Sequence, residues 1–231
     1  MLSVIIPAYN EEKYIEACIN SLKNQHTATN YEIIVVDNSS TDKTNELAKK
    51  TNVKVLSEPR PGRILAKNTG AKNATGDIFC FVDADCNAPN EYLEKISNFF
   101  TQNPKVDAVG GPYIYLDGGF FIKLGTQTFN YFYYYHQFIK LLSGFPSLPG
   151  GNMAVRKSAF ESINGFNEKI NDTTIPEDLD LTIRLHKNNL KVVMLRDLVI
   201  ISSNRWYNGK PTVRGIKRFY ETAHLLLKNM H

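Results

Sequence analysis

The chain has 231 residues, of which 42% are hydrophobic and 22% charged. That composition excludes a disordered or collagen-like polypeptide, and the length suits one compact domain. The formal net charge is +4, yet from Arg184 onward ten Lys or Arg face only Asp197 and Glu221, so the basic excess belongs to the C-terminal tail. Two accounts fit such a tail: a solvated basic helix, or a surface for an anionic partner such as a diphosphate, an acidic lipid surface or nucleic acid.

The first half alternates between strand and helix signals. Residues 2–6 form a β-branched run closed by Pro7, and residues 11–24 place Tyr14, Ile15, Cys18, Ile19 and Leu22 on one helical stripe. Residues 33–36 are a wholly apolar strand ending at Asp37. The run 38–42 (NSSTD) then supplies turn and cap chemistry for a helix through Lys50. A third strand at 53–56, a helix at 62–74 and a fourth strand at 78–82 follow. Pro89 opens another helix, because proline suits a first helical turn. Continuous apolar strands separated by helices predict an α/β layer with a mostly parallel sheet. After Asp107 the pattern loosens. Residues 120–142 read as an amphipathic aromatic helix, with Phe121, Leu124, Phe132, Tyr135, Ile139 and Leu142 opposite Lys123, Gln127, Asn130 and Lys140. A Pro/Gly loop at 144–151, helices near 156–163 and 177–187, and strands near 192–195 and 198–201 complete the chain.

Cys18, Cys80 and Cys86 form neither a disulfide framework nor a zinc-ligand pattern, and they read as packing residues. The opening residues lack the basic and long apolar regions of a secretory leader. No stretch reaches the roughly 18 apolar residues of a spanning helix, so a cytoplasmic protein is expected. The sequence contains no P-loop, no G-x-G-x-x-G and no G-x-S-x-G.

Carboxylates gather where strands end. In an open α/β sheet, ligands bind beyond the carboxyl ends of the strands. The strand 78–82 runs into Asp83-Ala84-Asp85, and continued strand geometry would set both acids on one side. Two such charges call for a cation, and magnesium-like ions are held by one or two carboxylates together with substrate phosphates. Asp37, at the end of another strand, either accepts hydrogen bonds from a nucleoside or caps the next helix, as Ser40 or Thr41 also can. Glu177, Asp178 and Asp180 follow Pro176 at a helix start, where acids are favoured electrostatically.

Taken in order, these segments resemble a family 2 glycosyltransferase of the GT-A fold. The match lies in SVIIPAYNE (3–11), EIIVVDNSSTD (32–42), GRILAKNTGAKNATGDIFCFVDAD (62–85), GGNMAVRKSAFESINGF (150–166) and EDLDL (177–181). The resemblance implies a Rossmann-like, mostly parallel sheet flanked by helices. Residues 1–110 would form the nucleotide-sugar part, and residues 111–231 a smaller acceptor-binding, base-bearing part of the same domain. It also implies that Pro7, Tyr9, Glu11, Asp37, Lys67, Asp83 and Asn152 serve the donor, with Asp83 and Asp85 at a Mn2+ or Mg2+ ion. Asp178 would be the general base of an inverting transfer, with Glu177 beside it. The donor would be a nucleoside-diphosphate sugar, UDP ahead of GDP, and the acceptor a glycan, a lipid phosphate or a small molecule, with no nucleic-acid partner.

The segment 202–206 (SSNRW) is similar to a Ser-x-Arg stretch of some members and holds no histidine where many relatives place a metal ligand. Arg205, with Lys210 or Arg214, is therefore expected over the diphosphate. The aromatic helix 120–142 has three readings: core, acceptor wall, or peripheral contact with the inner face of the membrane together with the basic tail. A sugar-phosphate nucleotidyltransferase is the alternative enzyme. It predicts a Gly-rich basic loop after the first strand, where this chain has the acidic run AYNEE (8–12).

Overall fold

The computed structural model describes residues 1–115, 137, 140, 141, 144–170 and 176–203. In chain order its elements are β1 (Leu2–Ala8), α1 (Ile15–Lys23), β2 (Tyr31–Asp37), α2 (Thr44–Lys50), β3 (Lys54–Ser57), α3 (Arg63–Lys72), β4 (Ile78–Val82), β5 (Cys86–Asn87), α4 (Tyr92–Gln102), β6 (Ala108–Gly110), β7 (Tyr113–Tyr115), β8 (Asn152–Arg156), α5 (Lys157–Ser162), α6 (Glu177–Lys187), β9 (Val192–Met194) and β10 (Ile200–Ser202). Seven strands form one sheet in the order β3-β2-β1-β4-β8-β6-β9, and β5, β10 and β7 form a second, three-stranded sheet.

The apolar runs of the first half are strands because both faces of the large sheet are covered. On one face Val4, Ile6, Ile33, Val35, Cys80 and Val82 pack against Ile15, Cys18, Ile19 and Leu22 of α1 and Tyr92, Leu93 and Ile96 of α4. On the other, Ile5, Ile34, Val36, Phe79 and Phe81 meet Ile64 and Ala66 of α3, Phe160 of α5, and Leu181 and Leu185 of α6. The period-two split of β1, β2 and β4 between these cores is the strand pattern expressed as packing.

β1, β2, β3 and β4 are mutually parallel, so Ala8 and Asp37 stand side by side at one rim. β8 lies antiparallel between β4 and β6. A strand from the second half thus sits inside the sheet of the first, and a boundary near residue 110 does not divide the core. The register pairs Val82 with Asn152, which brings the residues just before β8 beside those just after β4. In the small sheet Ser202 pairs with Cys86, which carries the end of β10 to the Asp85 turn.

Two local expectations change. Strand geometry does not persist through Asp85: β4 stops at Val82, and the Cys86 N–H donates to the Asp83 carbonyl at 3.0 Å, closing a turn. β8 occupies the few residues between the Pro/Gly loop at 144–151 and the helix near 156–163, to which the sequence assigned no strand. It is a strand because β4 and β6 supply partners on both sides. No helix among the described residues is long and apolar enough to cross a membrane.

Candidate active site

The rim of the large sheet is built from three chain segments. The first is the turn after β1. Asn10 adopts a left-handed φ of 55°, and its Oδ1 accepts the Thr41 N–H at 2.8 Å while its own N–H donates to Ser40 Oγ at 3.0 Å. The Glu11 N–H donates to Thr44 Oγ1 at 2.7 Å. These bonds lace the turn carrying Pro7, Tyr9 and Glu11 to the loop that follows Asp37. Pro7 is buried in β1, Glu11 is buried, and Tyr9 is 58% exposed, an aromatic face open to solvent. Asp37 is buried and accepts the Asn45 Nδ2–H at 3.1 Å and, more distantly, the Ser40 N–H. The residue that caps the approach to α2 is neither Ser40 nor Thr41 but Asp42, which accepts the Thr44 hydroxyl and the N–H groups of Thr44 and Glu12. These bonds hold its carboxyl below the ordinary value despite some burial.

The second segment is the turn after β4. Asp85 is buried, with Ser203 Oγ donating to its Oδ2 at 2.6 Å and the Ser203 N–H donating to its carbonyl at 3.1 Å. Asp83 is half-buried and lies against Gly151, where an added Cβ would overlap its carboxyl. The charge of this pair reaches its neighbours. Burial first, then Asp85 and Asp83, push the Cys18 thiol up, and Cys86 is raised by burial and the same two acids. The Tyr113 phenol is raised by burial and then by Asp83. All three cysteines are buried and unbridged, and burial alone pushes Cys80 up to about 12.

The third segment joins the start of β8 to the start of α6. Asp178 Oδ2 accepts the Gly150 N–H at 3.0 Å, and its Oδ1 accepts the Leu179 N–H at 2.8 Å. Glu177 is 1% exposed and is clamped by Arg63 Nη2 at 2.8 Å and Lys67 Nζ at 3.0 Å. Burial alone would push its carboxyl up. The adjacent Lys67 and Arg63 charges outweigh that and hold it near about 2. Glu177 is therefore an ionised anchor between α3 and α6, with no proton to exchange near neutrality.

Two residues expected at the donor are buried and hydrogen-bonded within the chain. Lys67 is completely buried beneath the rim, donating to Glu177 and, at 2.8 Å, to the Gly150 carbonyl. Asn152 is also fully buried. Its Oδ1 accepts from the Tyr92 hydroxyl at 2.8 Å, and its Nδ2 donates to the Pro112 and Leu198 carbonyls at 3.1 and 2.9 Å. That side chain ties β8 to α4 and to the residues leading into β7 and β10. Arg205, Lys210 and Arg214, the basic tail beyond residue 203 and nearly all of 120–142 lie outside the described residues.

Sequence reasoning missed Arg63 and Tyr113, and it took Ser203, Gly150 and Gly151 only as parts of quoted motifs, without these contacts. The Ser-x-Arg stretch was the signal for Ser203, and the adjacent glycines offered another, since a Gly pair before a strand marks a close approach of backbone to something else. Among the described residues no group of three or more His, Cys, Asp or Glu is arranged to hold a metal. Asp83 and Asp85 supply a pair of hard oxygen donors, which fits an ion completed by a ligand's own phosphates.

Comparison with known proteins gives a consistent picture. The family described as Glycosyl transferase family 2 matches residues 3–163, and one described as N-terminal domain of galactosyltransferase matches residues 132–204. Glycosyltransferase AglE of Haloferax volcanii is 37% identical over 127 residues, covering 51% of this chain and 41% of its own length. A beta-monoglucosyldiacylglycerol synthase of Nostoc sp. is 29% identical, covering 99% of this chain and 52% of its own. The chain thus spans about half or less of the length of these relatives. Among solved structures, the mannosyltransferase PcManGT from Pyrobaculum calidifontis, in complex with GDP-Man and Mn2+, superposes with a TM-score of 0.69 at 20% identity. It covers 99% of this chain and 72% of that one. At that identity the likeness is one of fold.

Proposed function

The chain belongs to glycosyltransferase family 2 and has the GT-A fold, and from this we propose that it moves a sugar from a nucleoside-diphosphate donor to an acceptor hydroxyl or phosphate, inverting the anomeric carbon. The observation that carries the reading is the β4–β8 register. It sets Gly150 and Gly151 between two acids, with the Gly150 N–H on Asp178 and Gly151 against Asp83. An acid suited to a base and an acid suited to a donor site therefore flank one short loop.

The donor's nucleoside lies along the turn carrying Pro7, Tyr9 and Glu11, with Asp37 receiving hydrogen bonds from the base. UDP is the expected carrier ahead of GDP. Asp83 and Asp85 would hold a Mn2+ or Mg2+ ion, two carboxylates on one turn being suited to an ion completed by the donor's own phosphates. Such an ion, when bound, supplies a Lewis acid for the leaving diphosphate. Asp178 takes the proton of the attacking acceptor, working on the face away from the departing group. Its two backbone N–H bonds fix the carboxylate's orientation in advance. Arg205 is proposed as a further cationic partner of the diphosphate. The relative named for diacylglycerol glucosylation supports a lipid among the acceptor classes. Flotation with anionic liposomes decides whether the segment 120–142 and the basic tail bring the chain to a bilayer.

The test is a donor-hydrolysis panel of UDP- and GDP-sugars with Mn2+ or Mg2+, joined to calorimetry with UDP and GDP. Metal-dependent association and release of sugar are expected. Absence of both, or an Asp85→Asn variant that binds the metal–nucleotide pair as the parent does, refutes the reading. Proton NMR of the first product reports the anomeric configuration, and retention removes Asp178 from the role of base.

A further inference from the structure

Lys67 lies at the centre of an arrangement that an ion pair alone does not require. Glu177 already has a cation in Arg63, on Oε2 at 2.8 Å. Lys67 adds a second cation on Oε1 at 3.0 Å, stands 5.2 Å from the centroid of the Phe166 ring, and is fully buried. Its other hydrogen bond, at 2.8 Å, goes to the carbonyl of Gly150.

That carbonyl belongs to the peptide joining Gly150 to Gly151. The N–H of the same peptide donates to the Tyr113 hydroxyl at 2.7 Å, so the unit is pinned at both its polar ends. On one side the Gly150 N–H holds Asp178 Oδ2 at 3.0 Å. On the other, Gly151 packs so closely on Asp83 that an added Cβ would overlap the carboxyl. At Gly150 a Cβ would sit 3.0 Å from Glu177 Oε1 and 3.3 Å from Asp178 Oδ2. The two glycines are a rigid spacer with a carboxylate against each end, and the buried ammonium fixes the spacer from below.

We propose, given the transfer reaction set out above, that Lys67 is a positioning residue. By gripping the Gly150 carbonyl it holds Asp178, the base, in a set relation to Asp83 on the donor side, without touching donor or acceptor. A base displaced by a fraction of an ångström loses rate while the donor site stays intact. Lys67 therefore acts on kcat, whereas Gly151, which abuts Asp83, acts on donor association.

The experiment uses the full chain and measures two quantities for each variant: kcat for donor hydrolysis, and the Kd for UDP or GDP with Mn2+ by calorimetry. Lys67→Met is expected to lower kcat by about tenfold or more while leaving the Kd within about twofold. Lys67→Arg, whose fork can still serve two acceptors, recovers part of the loss. Gly151→Ala shows the opposite split, weakening nucleotide–Mn2+ association first. A parental kcat in Lys67→Met overturns the proposal, as does a kcat and Kd that worsen in parallel. Should Lys67→Met not fold, Tyr113→Phe carries the test, because it frees the other polar end of the Gly150–Gly151 peptide and leaves the Lys67–Glu177 pair untouched: a fall in kcat at constant Kd supports the spacer, and a parental kcat overturns it. A parent chain that binds neither nucleotide removes the proposed function itself, an outcome distinct from a binding-competent parent whose Lys67 variants turn over normally.

Discussion

At Glu177 the negative charge is met by two cations, Arg63 at 2.8 Å and Lys67 at 3.0 Å, whereas Asp85 takes the Ser203 hydroxyl at 2.6 Å and Asp83 lies against Gly151. Both acidic groups sit at the same rim, and one short loop links them. The first is scaffold: a buried carboxylate that joins α3 to α6. The second is arranged around oxygen atoms, with a serine hydroxyl on Asp85 and a glycine against Asp83. Asp178 belongs to neither kind. It neighbours the scaffold acid in sequence, but it is only half-buried and faces the loop. Adjacent acids on one helical turn thus have separate tasks, because a rotation of about 100° per residue points them at different surroundings.

The sharpest way to separate the two groups is Asp178→Asn, which keeps shape and removes basicity. Turnover is expected to fall by about 10²–10⁴-fold with nucleotide–Mn2+ association unchanged by calorimetry, and a parental rate would place the base elsewhere. Glu177→Gln strikes the scaffold instead, leaving the buried Lys67 without its full counter-charge. A loss of about 3–5 kcal/mol of stability in urea titration is expected, larger than any change in nucleotide affinity.

Acid gives a milder version of the same test. The Glu177 carboxyl is held near about 2 against an ordinary 4.5, and Glu58 is held near about 2 by Arg60 and Thr69. A depressed carboxyl contributes stability fully above its unfolded value and loses it as pH falls toward the folded one. Urea midpoints should therefore drop between about pH 4.5 and about pH 2, and Glu177→Gln should flatten part of that slope. The smallest effect is expected from Ser203→Ala, which removes the hydroxyl holding Asp85 Oδ2. Mn2+ affinity in the presence of nucleotide should weaken by about tenfold, with the melting temperature little changed. Equal affinity would show that the turn after β4 orients Asp85 unaided.

Much of the frame is legible in the amino-acid order. The strands at 2–6, 33–36 and 78–82 are apolar on both faces and bounded by turn residues, so local pattern and burial agree. The helix at 177–187 is legible for a similar reason: Pro176 and three acids mark its start. β5, β6, β7 and β8 are not legible; they exist through their neighbours' hydrogen bonds. The same limit explains Lys67. A lysine on an amphipathic helix reads as exposed until α6 and the loop before β8 close over it.

Composition and local pattern alone determined that this chain would form an α/β sheet with acids where its strands end, since hydrophobic periodicity and strand-end chemistry are written in contiguous residues. Only the tertiary structure decided which acids are anchored and which face outward. That choice depends on Arg63, Lys67, Tyr113 and Ser203, which converge from distant parts of the sequence through the β4–β8 and β5–β10 pairings, and the cost of burying a charge is settled by whatever lies within a few ångströms of it.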